Sequence, residues 1–160
     1  PVDRKGTAAI INIGNELSSI LMVENGTPRF ARIITTGLQS AAGIFNCSLN
    51  EVVPINLRNN PIWPEEGILT WSATLAGEIN SSLSYYQTQQ KGAAIEKIFL
   101  SGRGARMDGL AGKLRENLGL PVLVIYPFDG IAGINENTSI SSVAPDFTVS
   151  VALARRGLEV

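Results

Sequence analysis

The Asn-Gly pair at 25–26 constrains the fold more than any other feature of this sequence. It lies between two extended apolar runs, and both of its residues tolerate positive φ, which makes it the strongest short-range signal for a two-residue hairpin. The flanking runs are 18–24, with Ile20, Leu21, Met22 and Val23, and 29–34. They are expected to be antiparallel neighbours. A third run, 8–13, precedes them across a short turn at Asn15 and Glu16. Three strands joined by tight turns therefore open the chain as a meander.

The remainder alternates. Leu38, Ala41, Ala42 and Phe45 fit a short helix, while the Asn- and Pro-rich stretch 56–64 reads as loop. The segment 38–67 is thus expected to be a reduced or loop-rich insertion. Pro64-Glu65-Glu66 suits the first turn of a long helix, with negative charge at the positive end of the dipole. Ile68, Ser72, Leu75, Ile79, Leu83 and Tyr86 follow three or four apart and predict one buried stripe. Gly77 interrupts this helix at a cost of about 1 kcal/mol, which suggests a close approach of helix and sheet. A strand is predicted at 95–100, then a helix on Leu110, Leu114 and Leu118, with Asp108 as N-cap and Gly119 as stop. The apolar run 122–125 predicts a strand buried on both faces, as a parallel sheet requires. After a loop at 126–144, Pro145 opens a last helix with Phe147, Val151, Ala154 and Leu158 on one side.

The order β-β-β-α-α-β-α-β-α is not that of a Rossmann unit, which alternates from its start. It is the order of the ribonuclease-H-like domain duplicated in actin, sugar kinases and Hsp70 proteins. The expected architecture is α/β, an actin-like lobe with a five-stranded mixed sheet and helices on both faces. Fold alone does not fix function.

Composition limits the chemistry. The chain has 160 residues, enough for one ordinary domain. Charged residues make up 17%, against roughly 25% in a typical soluble domain. Either part of the surface faces a partner domain, or the exterior is simply rich in Ser, Asn and Gly. Thirteen basic against fourteen acidic residues leave no phosphate-tracking stripe, so nucleic acid is not an expected partner. No apolar run approaches the roughly 20 residues that span a bilayer, so direct membrane insertion is not expected. With one cysteine, Cys47, and no histidine, an internal disulfide, a histidine-based triad and the usual zinc sites are excluded.

Four blocks carry a resemblance to a known family. Asn12-Ile13-Gly14, followed by Ser18-Ser19-Ile20 and the Asn25-Gly26 hairpin, is similar to the second phosphate-binding hairpin of actin-like proteins. Phe30-Ala31-Arg32 with Gly37 resembles the strand exit behind it. Residues 78–86, from Glu78 to Tyr86, resemble a long-helix signature. The run 98–106, followed by Gly109-Leu110 and 118–122, resembles the adenosine motif and its sequel. In this order the blocks resemble the C-terminal half of the PilM family of type IV pilus assembly proteins, actin-like proteins related to FtsA. The resemblance runs from end to end apart from 38–67.

What the resemblance implies is a scaffold component of the inner-membrane pilus platform, cytoplasmic and peripheral at that membrane. Residues 1–7 would be a linker from an N-terminal lobe, and 8–160 the C-terminal actin-like lobe. The implied partners are that other lobe, a peptide of a PilN-like membrane protein held mainly by it, and further pilus assembly proteins. The implied cofactor is ATP with Mg in the full-length protein, and none in this lobe by itself. The alternatives are half of a genuine actin- or Hsp70-type ATPase, a GspL-like secretion protein and a sugar kinase fragment.

By the same resemblance the cofactor-binding residues are Asn12, Ile13, Gly14, Gly102, Arg103 and Gly104. Two depart from the family pattern: Asn12 stands where an Asp usually opens the hairpin, and Arg103 replaces the middle of a glycine triplet. An Asn side chain cannot carry the charge that orders Mg²⁺ through its waters. Read as residues alone, Asn12–Gly14 is an ordinary hairpin and Gly102-Arg103-Gly104 a tight βα turn. Arg103 can stack on an adenine, meet a phosphate, or fill the pocket, and the sequence does not choose between these. No side chain is a credible base for activating water, so no catalytic residue is assigned.

Overall fold

The computed structural model describes residues 6–53, 64–89, 91–129, 140 and 143–158. Strands β1 (Thr7–Ile13), β2 (Ser18–Glu24) and β3 (Thr27–Ile34) form the expected meander. Helices α1 (Leu38–Phe45), α2 (Leu49–Val52) and α3 (Glu65–Gln89) follow, then β4 (Lys97–Ser101), a 3-10 turn at Arg103–Arg106, α4 (Leu110–Leu118) and β5 (Val122–Val124). A second 3-10 turn, Ala144–Phe147, leads into α5 (Thr148–Leu158). The sheet has five strands in the order β3-β2-β1-β4-β5, with β1 antiparallel to β2 and parallel to β4, and β4 parallel to β5. This is the mixed actin-like α/β sheet that the strand order predicts. At the hairpin between β2 and β3, Asn25 and Gly26 both adopt positive φ, 50° and 78°. The turn is therefore of the kind that an Asn-Gly pair favours.

Strand alternation divides the sheet. Ala9, Ile11, Ile13, Ile20, Met22, Ile98, Leu100 and Val122 point to one face and are buried there with Leu38, Trp71, Leu75, Ile79, Leu110 and Leu114. Helices α1, α3 and α4 supply that cover. Pairing aligns Ala31, Leu21, Ile10, Phe99 and Leu123 in a row on the opposite face. The three middle members are half-buried, whereas Ala31 and Leu123 are exposed.

Several expectations need correction. Strand β5 is not buried on both faces: it lies at the sheet's edge, and Leu123 is exposed while Val122 is buried. The N-cap of α4 is Gly109 in the left-handed region (φ 80°), without a side-chain cap, so Asp108 does not serve that role. Gly119, at φ 65°, does close the helix. Gly77 marks no close approach, since a Cβ built on it would meet nothing within 4 Å. The stripe of α3 holds from Ser72 to Tyr86, but Ile68 is only half-buried. Trp71, which the stripe did not include, is fully buried and donates from Nε1 to Ser40 Oγ at 3.0 Å. Among the described residues nothing buries the stripe of α5 fully: Val151 is half-buried, the helix's main contact is the turn that precedes it, and Leu158 is 85% exposed. The loop reading of 56–64 falls outside the described residues except at Pro64, and that of 126–144 does so for most of its length.

Candidate functional site at the ends of β1 and β4

Strands β1 and β4 run parallel and end together, with Asn12 opposite Ser101. This is the edge of a parallel sheet where loops gather and ligands commonly sit. The structure brings all six sequence-predicted residues to this place. Gly102, at φ 79°, lies so close to β1 that a Cβ would run into Asn12 Oδ1 and come within 2.7 Å of the Ile13 carbonyl oxygen. A Cβ on Gly104 would collide with the Ile13 side chain. The two glycines thus let the β4 loop lie directly on the β1 hairpin, which a longer side chain at either position would prevent.

The hairpin turn is tied from behind. Gly14 N–H donates to the Leu17 carbonyl at 3.1 Å, and a Cβ on Gly14 would stand 2.6 Å from that oxygen. Two amides of α1's first turn, those of Leu38 and Gln39, donate to the carbonyls of Gly14 and Asn15 at 3.0 and 2.7 Å. These are amides that a helix N-terminus leaves without intrahelical partners. Gly37 permits the approach, since its Cβ would lie 2.6 Å from the Asn15 oxygen.

Arg103 does not face the hairpin. Its Nε and Nη2 donate to the Val53 carbonyl at 3.1 and 2.5 Å, with Nη2 also 3.4 Å from Asn50 Oδ1. The guanidinium therefore holds the C-terminal end of α2. That short helix begins in a capping box, where the Ser48 amide and hydroxyl both donate to Glu51 Oε2 at 2.6 Å. These bonds hold the exposed Glu51 carboxyl below its ordinary range. Neighbouring Cys47 is half-buried, and burial, then the Glu51 charge, pushes its thiol up.

Beyond the β4 loop lies a groove of about 330 Å³, bordered by Met107, Asp108, Gly109, Gly112, Tyr126 and Pro145. Gly109 and Gly112 leave open space where side chains would stand. Arg106, which also borders the groove and whose side chain is 3% exposed, forms an ion pair with Asp146 at 3.0 Å. The six site residues named from the sequence end at Gly104, whereas this groove is bordered by Arg106 and Gly109 of the adenosine-like block that continues beyond them. The two glycines flanking the start of α4, and the aromatic just after β5, were the available signals.

The donor set fits a nucleotide in part. The Gly14 and Gly102 amides that would meet phosphates already donate to Leu17 and Pro145 carbonyls. The Asn12 side-chain carboxamide belongs to a half-buried residue and has no hydrogen bond among the described residues, so it can meet a ligand. The groove's lining mixes apolar residues, among them Met107, Val124 and Tyr126, with the charged Arg106 and Asp108. Among the described residues no three Asp, Glu or Cys side chains gather as a metal site.

The family of type IV pilus assembly protein PilM matches residues 2–158. This chain belongs to the PilM family. No curated protein matches it at the sequence level. Solved structures carry the fold further. A PilM–PilN type IV pilus biogenesis complex superposes with a TM-score of 0.75 at 23% identity, over 99% of this chain and 48% of that one. The ethanolamine utilization protein EutJ from Carboxydothermus hydrogenoformans gives 0.62 at 15% identity, over 92% of this chain and 48% of its own. MreB 5 of Spiroplasma citri, solved with AMPPNP, gives 0.60 at 11% identity, over 99% and 57%. The PilM-family chain thus has the actin-like fold and spans about half the length of these proteins. None of its described helices is long and apolar enough to cross a membrane.

Proposed function

We propose that this chain serves as one lobe of an actin-like scaffold in the type IV pilus assembly platform. It would work peripherally at the cytoplasmic face of the inner membrane, in contact with a membrane-anchored PilN-like protein and other assembly components. The observation that carries this reading is the PilM-family match along 2–158. The test is deletion of the gene together with affinity purification of the tagged protein from solubilised membranes. Loss of surface pili and recovery of a PilN-like protein are expected. Normal piliation in the deletion strain would overturn the reading.

Nucleotide enters this reading as a ligand of the complete protein. ATP would place its base in the groove beside Tyr126 and its phosphates toward Asn12, and when bound with Mg²⁺ it supplies a charged group that can hold two lobes together. Three features of the lobe argue for weak binding on its own. The Gly14 and Gly102 amides are engaged within the protein, Asn12 brings no charge to order the metal, and water has access from one side. Calorimetric titration of the 160-residue chain with Mg-ATP is expected to show no micromolar site, and phosphate release is expected to stay at background. Micromolar affinity, or release that Asn12→Ala abolishes, would contradict this.

A further inference from the structure

A second site lies away from the β1–β4 loops, between β3 and α3. A cavity of about 360 Å³ opens there, bordered by Arg32, Thr35, Thr74, Gly77, Glu78 and Ser81. Strand β3 is the last strand of the sheet, so its outer edge has no strand neighbour among the described residues. It is eight residues long and exposed over most of its length, with Ile33 at 67%. Such an edge is a template for another extended chain. Pro28 and Arg29 guard its first part, and the cavity lies beside its second.

The cavity's chemistry is one-sided on the α3 wall. Thr74 Oγ1 donates to the Thr70 carbonyl at 3.1 Å, and Ser81 Oγ to the Gly77 carbonyl at 2.9 Å. Each hydroxyl proton is thereby spent on the helix, leaving lone pairs as acceptors. Glu78 adds a carboxylate whose Oε2 is shielded from solvent and has no hydrogen-bond partner among the described residues. A shielded, unpartnered carboxylate oxygen is costly and calls for a donor. The cation at the rim, Arg32, directs Nη1 to Ser82 Oγ at 3.5 Å and makes no ion pair with Glu78 within 4.0 Å. Gly77 contributes room, since nothing lies within 4 Å of its absent Cβ.

We propose that this cavity receives the guanidinium or ammonium group of an extended partner segment that pairs along the open edge of β3. Backbone pairing would supply the affinity common to strand addition, and the cation in the pocket its selectivity. A multi-donor cation matches a wall of acceptors better than any neutral side chain does. The site is independent of the nucleotide reading and of the β1–β4 loops.

The probe is an acetylated, amidated heptapeptide of alternating Thr and Val with a central Arg, titrated into the 160-residue chain and followed by amide NMR. Its twin carries citrulline, which has the same shape without the charge. Shifts centred on Thr35, Gly77 and Ser81, slowed amide exchange along β3, and at least tenfold weaker binding of the citrulline twin are expected. Glu78→Gln should erase the difference between the two peptides. Gly77→Leu, which fills the cavity from an exposed helix position, should remove binding while the spectrum of the remaining fold stays intact. Equal binding of both peptides, shifts confined to the β5 edge, or no shift at millimolar peptide would each overturn the proposal. The last result is also what an Arg32–Glu78 pair closing the cavity in solution would give.

Discussion

Helices α3 and α5 carry similar patterns and meet opposite fates. In α3 the stripe from Trp71 through Leu75, Ile79 and Leu83 to Tyr86 is buried against the sheet. In α5 no residue is fully buried, although Val151, Ala154 and Leu158 fall on one side, and of these only Val151 is half-buried. Periodicity states that a helix face needs a cover, and says nothing about where that cover comes from. For α3 the cover is α1, α4 and the sheet at β2 and β3; for α5 the described part of this chain supplies little beyond the turn before it.

Stability measurements can break this contrast. The largest effect is expected from Trp71→Ala, which empties a fully buried position and removes the bond to Ser40. Urea denaturation should show a loss of about 3–5 kcal/mol. A loss below about 1 kcal/mol would mean that α3 is not the anchor drawn here. Gly14→Ala comes next, because the added methyl meets the Leu17 carbonyl oxygen and the backbone there is bonded to α1. A cost of about 1–3 kcal/mol is expected by the same method. Gly77→Ala should act in the other direction and stabilise by about 0.5–1 kcal/mol, since the position is helical and open. Leu153→Gln in α5 should change stability by no more than about 0.5 kcal/mol. A large loss at Leu153 would show that α5 finds a cover in solution and would dissolve the contrast.

The pH effect at α2 is the smallest. Glu51's carboxyl is held below its ordinary pKa by the Ser48 bonds. Its contribution is therefore present above the pKa of the unfolded chain and lost as pH falls through the folded value. Thermal melts between pH 7 and pH 3 should show wild type losing more stability on acidification than Glu51→Gln, which lacks this titration. The group is exposed, so a small difference is expected.

What was legible in the sequence was what local chemistry decides. Asn25-Gly26 specified its own turn, and β-strand alternation with the α3 stripe located the core without reference to anything distant. Gly119 closed α4 because a left-handed residue there is a backbone matter. The failures are long-range. Arg103 finds its acceptor on Val53, fifty positions away, and no local pattern forecasts that pairing. Gly77 was read as a contact because a helical glycine has a cost, yet an unfilled cost is also what an open surface leaves. Asp108 has the right chemistry for a cap, but Gly109 adopts the capping position instead. In the candidate site the sequence located the hairpin and the β4 loop. The groove at Met107–Tyr126 was not legible as a groove because its walls come from segments that only the parallel pairing of β4 with β5 unites.

The contacts around the β1–β2 turn form a circuit. Gly14 holds Leu38, α1 leads to α2, Val53 holds Arg103, and Gly104 rests on Ile13, one residue from the start. A linkage closed on itself has no loose end, so each member has a neighbour on either side to which a displacement is passed. A displacement of the turn is therefore handed on in two directions, to the beginning of α1 through Leu38 and to the β4 loop through Gly104.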